Sequence, residues 1–542
     1  MRDGLSQKLS QFYNSDKFSW FIIGVGIALR INRYLYNPSL WFDEARNAMF
    51  IIDRPFWEFI PPRSDHTISP QIGFLMLEKL AIQIIGYSEY ALRLFPLLFG
   101  IISLFLFYKI ARYYIQPKAV PVALGLFAIL NPLVSLSSEL KPYTGDVAIA
   151  LLLYVVTIYI QSRKLTAFQI ILLGGFGAIV VWFSHPSVFI LLGVGITSGF
   201  SCLLKKEWPK LGRLLITFLI WISSFLVVYL IYTRHLMFNF TLTNDRIVWM
   251  KDKAFMPFPP TSLSDIQWFL DLPIRIFSFP VGLTFSGIAT LTFIVGCISI
   301  FSEKKERFFI LILPLIITML ASTLHKYVFS AEPILFLVPF ILLFVAEGTE
   351  YIREKLNHTS KIIGIIFIGL LFLHPLSRST YYVFKPISVE EIKPVLSHIK
   401  KNWQEGDILY VYYMSQFAFK YYSKYYPQNY HFNEDEYIIG RAPRDWYATY
   451  KRQEFKGFWN PEKPFSQPYT EIFKEYIEEM NKLKGLKRVW ILFSSKVPRN
   501  NIVEENFFIY HLETIGRQLD FYRKPGASVY LYDLSSETSQ IN

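Results

Sequence analysis

Long stretches almost without charge recur along this chain of 542 residues. They constrain its fold more than any other feature. A helical run of about 20 apolar residues matches the hydrocarbon thickness of a bilayer. Such runs occur near 18–36, 91–114, 119–137, 147–162, 166–184, 186–204, 214–233, 276–301, 308–324, 331–346 and 361–377. In lipid the backbone has no water to bond, so each run has to be helical. The expected fold class is therefore mainly α, a polytopic membrane protein with about eleven transmembrane helices.

Only 18 % of residues are charged and 52 % are hydrophobic, whereas soluble domains carry about a quarter charged residues. That excludes a disordered chain, a collagen-like fibre and an ordinary cytosolic enzyme. The 34 Tyr and 12 Trp suit membrane interfaces. The net charge of +13 is read as a loop bias, and nucleic acid is not an expected partner. Cys202 and Cys297 both lie in apolar runs, so no structural disulfide is expected. The first apolar run follows Arg2, Lys8 and Lys17 without a small-residue cleavage site, and is expected to be a retained span.

Loop charge sets the orientation. Connections near 112–118, 163–165, 205–213, 303–307 and 350–361 all carry Lys or Arg, and the positive-inside rule places them in the cytoplasm. This arrangement requires the apolar segment 71–86, which contains Glu78 and Lys79, to be a juxtamembrane helix rather than a span. The loop 37–90, the segment 138–146, the turns at His185 and His325, the loop 234–275 and the tail then share the outer face.

Composition shifts near residue 380. The stretches 407–414, 488–495 and 528–534 read as strands, and 388–403 and 469–483 as amphipathic helices. The expected domains are a transmembrane domain over 1–380 and a soluble extracytoplasmic α/β domain over 381–542.

Four outer-face segments concentrate ionisable groups that a plain loop does not need. "LWFDEARNA" (40–48) places Asp43, Glu44 and Arg46 just beyond the first span. One carboxylate can serve as general base toward a hydroxyl, the other as positioner or ligand to a divalent metal. "SSELKPYTGD" (137–146) offers Glu139, Lys141 and Tyr143, with Lys141 suited to a phosphate. "DHTISPQIGF" (65–74) holds His66 before the juxtamembrane helix. "LHKYVFSAEPILFLVPF" (324–340) contributes His325, Lys326 and Tyr327. Each also has a plainer reading: a solvated loop start, snorkelling side chains, a capped surface helix and an interfacial histidine. Glu89 and Arg93 are spaced to pair on one helical face. No Walker loop, dinucleotide fingerprint, zinc spacing or hydrolase triad is present, and "HFNEDEY" (431–437) reads as a solvated acidic loop in preference to a divalent-cation site.

The order of these motifs is recognisable. "LRINRYLYNPSLWFDEARNA" is followed by "SPQIGFLMLEKL", "GYSEYALRLFPLLFGIISLFLFYKIARYY", "NPLVSLSSELKPYTGDVAIALLLY" and "LHKYVFSAEPILFLVPFILL". Over about residues 18–350 the chain resembles membrane glycosyltransferases of the GT-C fold, above all the family 39 group of protein O-mannosyltransferases and aminoarabinose transferases. The resemblance implies a polyprenyl-phosphate-linked sugar as donor, an acceptor with a free hydroxyl, and transfer by direct displacement on the extracytoplasmic side. It matches Asp43 to the catalytic base and Glu44 to its partner acid. It matches Glu139, Lys141 and Tyr143 to a second turn, and His325, Lys326 and Tyr327 to a later one. The juxtamembrane helix opens with Ile68-Ser69-Pro70 where many members have His-Pro-Pro or Lys-Pro-Pro, and Glu332 stands where an Arg is usual.

A transporter or lipid flippase would carry ionisable residues at mid-membrane and repeated halves. The spans from 119 to 346 are nearly clean of charge at their centres, and the halves do not repeat. A membrane-anchored binding module leaves the groups around Asp43 and Glu139 without a task.

Overall fold

A computed structural model describes residues 15–60, 71–161, 166–233, 254–355, 358–441, 474–494 and 501–535. The chain forms two compact units. One joins Met1–Asn37 to Arg54–Pro386, and the other joins Pro38–Asp53 to Ile387–Asn542. The first loop thus contributes a helix to the unit built from the C-terminal residues. Helix α1 (Asp16–Tyr36) lies in the first unit and α2 (Phe42–Asp53) in the second.

The first unit continues with α3 (Ile72–Ile85), α4 (Leu94–Tyr114), α5 (Val120–Ile129), α6 (Tyr143–Gln161), α7 (Ala167–Phe183), α8 (Ser187–Leu204) and α9 (Trp208–Val228). After α10 (Leu263–Ile276) come α11 (Ser286–Glu303), α12 (Lys305–Thr323), α13 (Val338–Lys355) and α14 (His358–Phe384). Among the described residues, eight helices are long and apolar enough to cross a membrane, or nine if Val120–Ile129 and Asn131–Ser138, bent by 56°, form one broken span. The two other expected runs form α1, which carries Arg30 and Arg33, and α7, which has 17 residues. The apolar run 276–301 is not one helix. It opens as the end of α10, turns through Phe277–Val281, and resumes at Ser286 after Gly282, whose φ of 90° ends the turn.

The bundle is organised around the segment Glu332–Glu354, 94 % of whose apolar window is buried. Its partner α11 approaches it backbone to backbone. A Cβ at Gly296 would lie 1.9 Å from the Phe344 carbonyl oxygen, and one at Gly348 would lie 1.8 Å from that of Thr292. Small residues permit such approach where lipid supplies no hydrophobic drive. Ser299 Oγ donates to Glu347 at 3.1 Å, and the Gln116 N–H donates to the same carboxylate at 2.9 Å. Rings fill the interior, with Phe107 stacked on Phe127 at 4.4 Å and Tyr154 against Phe340 at 4.3 Å.

The second unit is built on a five-stranded sheet of order β2-β1-β3-β5-β4. The strands are β1 (Ile408–Val411), β2 (Tyr437–Ile439), β3 (Val489–Ser494), β4 (Arg517–Lys524) and β5 (Ala527–Asp533). β1 pairs in parallel with both β2 and β3, and β5 pairs antiparallel with β3 and β4. All six residues of β3 are buried, as a strand covered on both faces requires. The three expected strands are present. β2 and β4 are additional: one is three residues long, and "RQLDFYRK" is a charged edge strand whose exposure hides the apolar alternation. Helices α15 (Ile392–Lys401), α16 (Gln416–Tyr425), α17 (Lys474–Asn481) and α18 (Asn501–Ile515) complete the unit. Cys202 and Cys297 are unbridged.

Gly348→Leu is expected to abolish folded protein or lower its Tm sharply, because overpacking costs about 1–3 kcal/mol even where side chains can yield, and here the obstacle is backbone. Gly369→Leu, where nothing lies within 4 Å, should change little. Size-exclusion profiles and melting curves in detergent check both.

Candidate active site

In the second unit, Asp43 and Glu44 occupy the first turn of α2, where the partial positive charge of the helix favours acids. The approach to this helix is fixed by four hydrogen bonds. Ser39 Oγ donates to Glu391 at 3.0 Å and accepts from the Lys393 N–H at 3.2 Å. The Leu40 N–H donates to the Tyr422 hydroxyl at 2.7 Å. The Phe42 N–H donates to Glu390 Oε2 at 3.0 Å. The Phe42 ring meets Phe417 edge-on at 5.4 Å, and the Arg46 guanidinium lies 5.8 Å from that ring's centroid. At the far end of α2, Asp53 accepts from Lys424 Nζ at 2.7 Å and from the Tyr425 hydroxyl. The helix is thereby held at both ends. Glu44 is buried, while Asp43 and Arg46 are half-buried.

Glu390 is the residue that sequence reasoning missed. It is 3 % exposed and acts as an N-cap supplied from far along the chain, since Phe42 opens the helix. Ser494 Oγ donates to the same oxygen at 3.3 Å. Burial drives its carboxyl up to about 8. The charges of Asp43 and Glu44 push the same way, and the hydrogen bonds from Phe42 and Ser494 oppose. Glu390 therefore holds its proton near neutrality, which spares this corner a third negative charge. The only trace in the sequence is "VEE" at the start of an amphipathic helix.

The other site candidates lie in the first unit. Glu139 and Lys141 sit in a tight turn in which the Lys141 N–H donates to the Glu139 carbonyl at 2.7 Å. Lys141 is 8 % exposed, and Glu139 and Tyr143 are half-buried. Tyr143 opens α6, and one turn later Asp146 accepts from Gln71 Nε2 at 3.3 Å. Tyr327 couples electrostatically to Asp146 and Tyr143, and donates to the Pro333 carbonyl at 2.7 Å. Burial first, then these two neighbours, holds its phenol well above the usual range. Tyr327 is thus brought to the second turn, whereas His325 and Lys326 are exposed, His325 at a φ of 55°. His66 lies outside the described residues.

Arg30, in α1, serves backbone carbonyls. It is 1 % exposed and donates to the carbonyls of Gly26, Ala128 and Phe127 at 2.9, 3.1 and 3.4 Å. It satisfies the end of α5, where the chain bends. Arg93 donates to Asn37 at 2.9 Å, and Asn37 donates to Glu89 at 3.1 Å, so an asparagine links the Glu89–Arg93 pair. Among the described residues no three His, Cys, Asp or Glu side chains converge as a metal cage.

No family model matches the chain, and no curated protein does. Among solved structures it is similar to ArnT from Cupriavidus metallidurans bound to undecaprenyl phosphate. Identity is 12 % and the TM-score 0.49, over 95 % of this chain and 98 % of that one. It is also similar to the Archaeoglobus fulgidus oligosaccharyltransferase in complex with Zn and sulfate, at 11 % identity and a TM-score of 0.46, over 95 % of this chain and 73 % of that one.

Glu390 gives the second unit a pH signature. Its carboxyl titrates higher folded than unfolded, so its stabilisation is complete below the ordinary carboxylate range and is lost as pH rises through about 8. Glu390→Gln, which keeps a neutral acceptor, should flatten the fall of Tm between acid and alkaline pH. Glu390→Ala should cost roughly 1–3 kcal/mol by leaving the Phe42 N–H unpaired. Melting curves across pH distinguish the three proteins.

Proposed function

We propose that this chain is a glycosyltransferase that moves a sugar from a polyprenyl phosphate carrier to a hydroxyl on a protein, lipid or glycan acceptor. The observation that carries this reading is the acidic pair Asp43–Glu44, at the start of a helix capped by a carboxyl that stays protonated near neutrality. A neutral Glu390 bonds the helix start without adding its own charge beside Asp43. The order of motifs around the pair supports the same reading.

In the proposed reaction Asp43 accepts the proton of the acceptor hydroxyl. The acceptor oxygen attacks the anomeric carbon, the bond from that carbon to the phosphate oxygen breaks, and polyprenyl phosphate leaves with the bonding pair. A single displacement of this kind inverts the anomeric centre. Polyprenyl phosphate is a good leaving group, so the protein has mainly to remove one proton and to balance phosphate charge. Glu44 positions the base. By the family resemblance alone, Lys141 and Arg46 are the cations assigned to the phosphate, and Glu139, Tyr143 and Tyr327 the polar groups assigned to the donor. The helices that can cross a membrane suit a donor whose tail stays in lipid while its sugar meets water. By loop charge the acceptor face is extracytoplasmic, and the plasma membrane is the expected location.

Asp43→Asn should lower release of free polyprenyl phosphate from a lipid-linked sugar by about 10²–10⁴-fold, the usual worth of a general base, with Tm unchanged. Turnover equal to wild type would remove Asp43 as the base. A cysteine at the exposed Lys326, in a background lacking Cys202 and Cys297, should react with an impermeant maleimide added to intact cells. Labelling only after permeabilisation would reverse the orientation.

A further inference from the structure

At one end of the first unit's bundle, the ends of α4, α6, α8, α9 and α12 enclose a cavity of about 450 Å³. Helix α6 runs from Tyr143 to Gln161, and Ile160 lines the cavity. At 1.5 Å per residue the cavity is roughly 26 Å along α6 from the turn that holds Lys141. It is a separate feature.

Its lining carries Lys205, Lys210, Lys304, Lys305 and Arg307 against one carboxylate, Glu306. Two of these cations have acidic partners: Lys205 meets Glu306 at 3.4 Å and Lys210 meets Glu207 at 3.3 Å. Lys305 and Arg307 lie against ring faces instead, 5.5 Å from the Phe301 centroid and 5.2 Å from that of Tyr113. Among the described residues no carboxylate lies within ion-pair distance of Lys304, Lys305 or Arg307. All three sit at the start of α12, where the helix dipole is positive and cations are disfavoured. An anion in the cavity would offset both the crowding of like charges and the dipole.

A second observation points to a ligand. Tyr114 lines the same cavity and is 2 % exposed, and its hydroxyl has no hydrogen-bond partner among the described residues. Glu306 and Arg307 line the same cavity, so the phenol shares it with the charged wall. Buried hydroxyls are nearly always bonded. A phosphate oxygen would accept from it while the cations balance the charge.

We propose that this cavity binds a phosphate group, and that the group belongs to the headgroup of an anionic lipid. The cavity opens at the ends of helices that are apolar enough to span a membrane, and basic pockets between such helices select anionic headgroups. The inference is independent of the glycosyltransferase reading.

The test uses the full chain in neutral detergent, with melting curves and native mass spectrometry. The probes are short-chain phosphatidic acid, short-chain phosphatidylcholine and inorganic phosphate. Wild type should retain one equivalent of phosphatidic acid with a saturable rise in Tm, and phosphatidylcholine should give little. The triple variant Lys304→Gln/Lys305→Gln/Arg307→Gln should weaken binding by about tenfold or more, and Tyr114→Phe by about threefold, since each lost charge-assisted bond is worth that order. Both variants should melt near wild type without ligand. An equal response to inorganic phosphate alone would keep the phosphate site and assign it to a soluble anion. No saturable binding, or binding unchanged in the triple variant, would overturn the proposal.

Discussion

Inside a bilayer, no backbone group can be left without a partner, and the first unit is organised by that constraint. Helices satisfy it along their length and fail to satisfy it at their ends. Where α5 stops inside the bundle and the chain bends by 56°, Arg30 reaches across from α1 to the carbonyls of Phe127 and Ala128. An arginine in an apolar helix reads as a functional charge, and here it completes a hydrogen-bond ladder. Backbone satisfaction also permits close approach. Helices α11 and α13 each satisfy their own backbone along their length, so Gly296 and Gly348 can bring the two together.

The same requirement governs the candidate base. Helix α2 begins with unpaired N–H groups, as every helix does. Glu390, nearly 350 residues along the chain, pairs one of them. Because that carboxyl is buried, it keeps its proton, and it bonds the helix start without adding a charge beside Asp43 and Glu44. An ordinary Asp or Ser at the N-cap would satisfy the helix equally well. A protonated glutamic acid does so and links the geometry of the base to pH.

The spans were legible because hydropathy is a direct reading of the solvent: eight of the expected runs form long apolar helices. Fine breaks were less legible. Apolar residues on both sides of Gly282 make 276–301 look continuous, although its backbone turns there. Strands β1, β3 and β5 were visible as buried runs, whereas β4 carries Arg517, Asp520, Arg523 and Lys524 on an exposed edge. Asp43 and Glu44 stood out because acids beside a span are costly. Glu390 did not, because its role depends on a pairing between residue 42 and residue 390 that no local pattern records. The exposure of His325 and Lys326 was equally invisible, since a turn between two spans can present its side chains inward or outward.

The division of the chain changes what the C-terminal residues are for. Composition alone makes them an appended soluble domain, one that a truncation could remove while the candidate site stayed intact. Pro38–Asp53 belongs with them instead. Every anchor of α2 described above is a C-terminal residue: Glu390, Glu391, Lys393, Phe417, Tyr422, Lys424 and Tyr425. A chain ending near residue 386 would keep the spans and the cavity at Tyr114, but α2 would lose its N-cap, its aromatic partner and both ties at its far end. Isolated helices of 12 residues are marginal in water. The pair Asp43–Glu44 would then sit on a segment with no reason to be helical. On this physical ground the C-terminal unit is part of the apparatus that positions the candidate base.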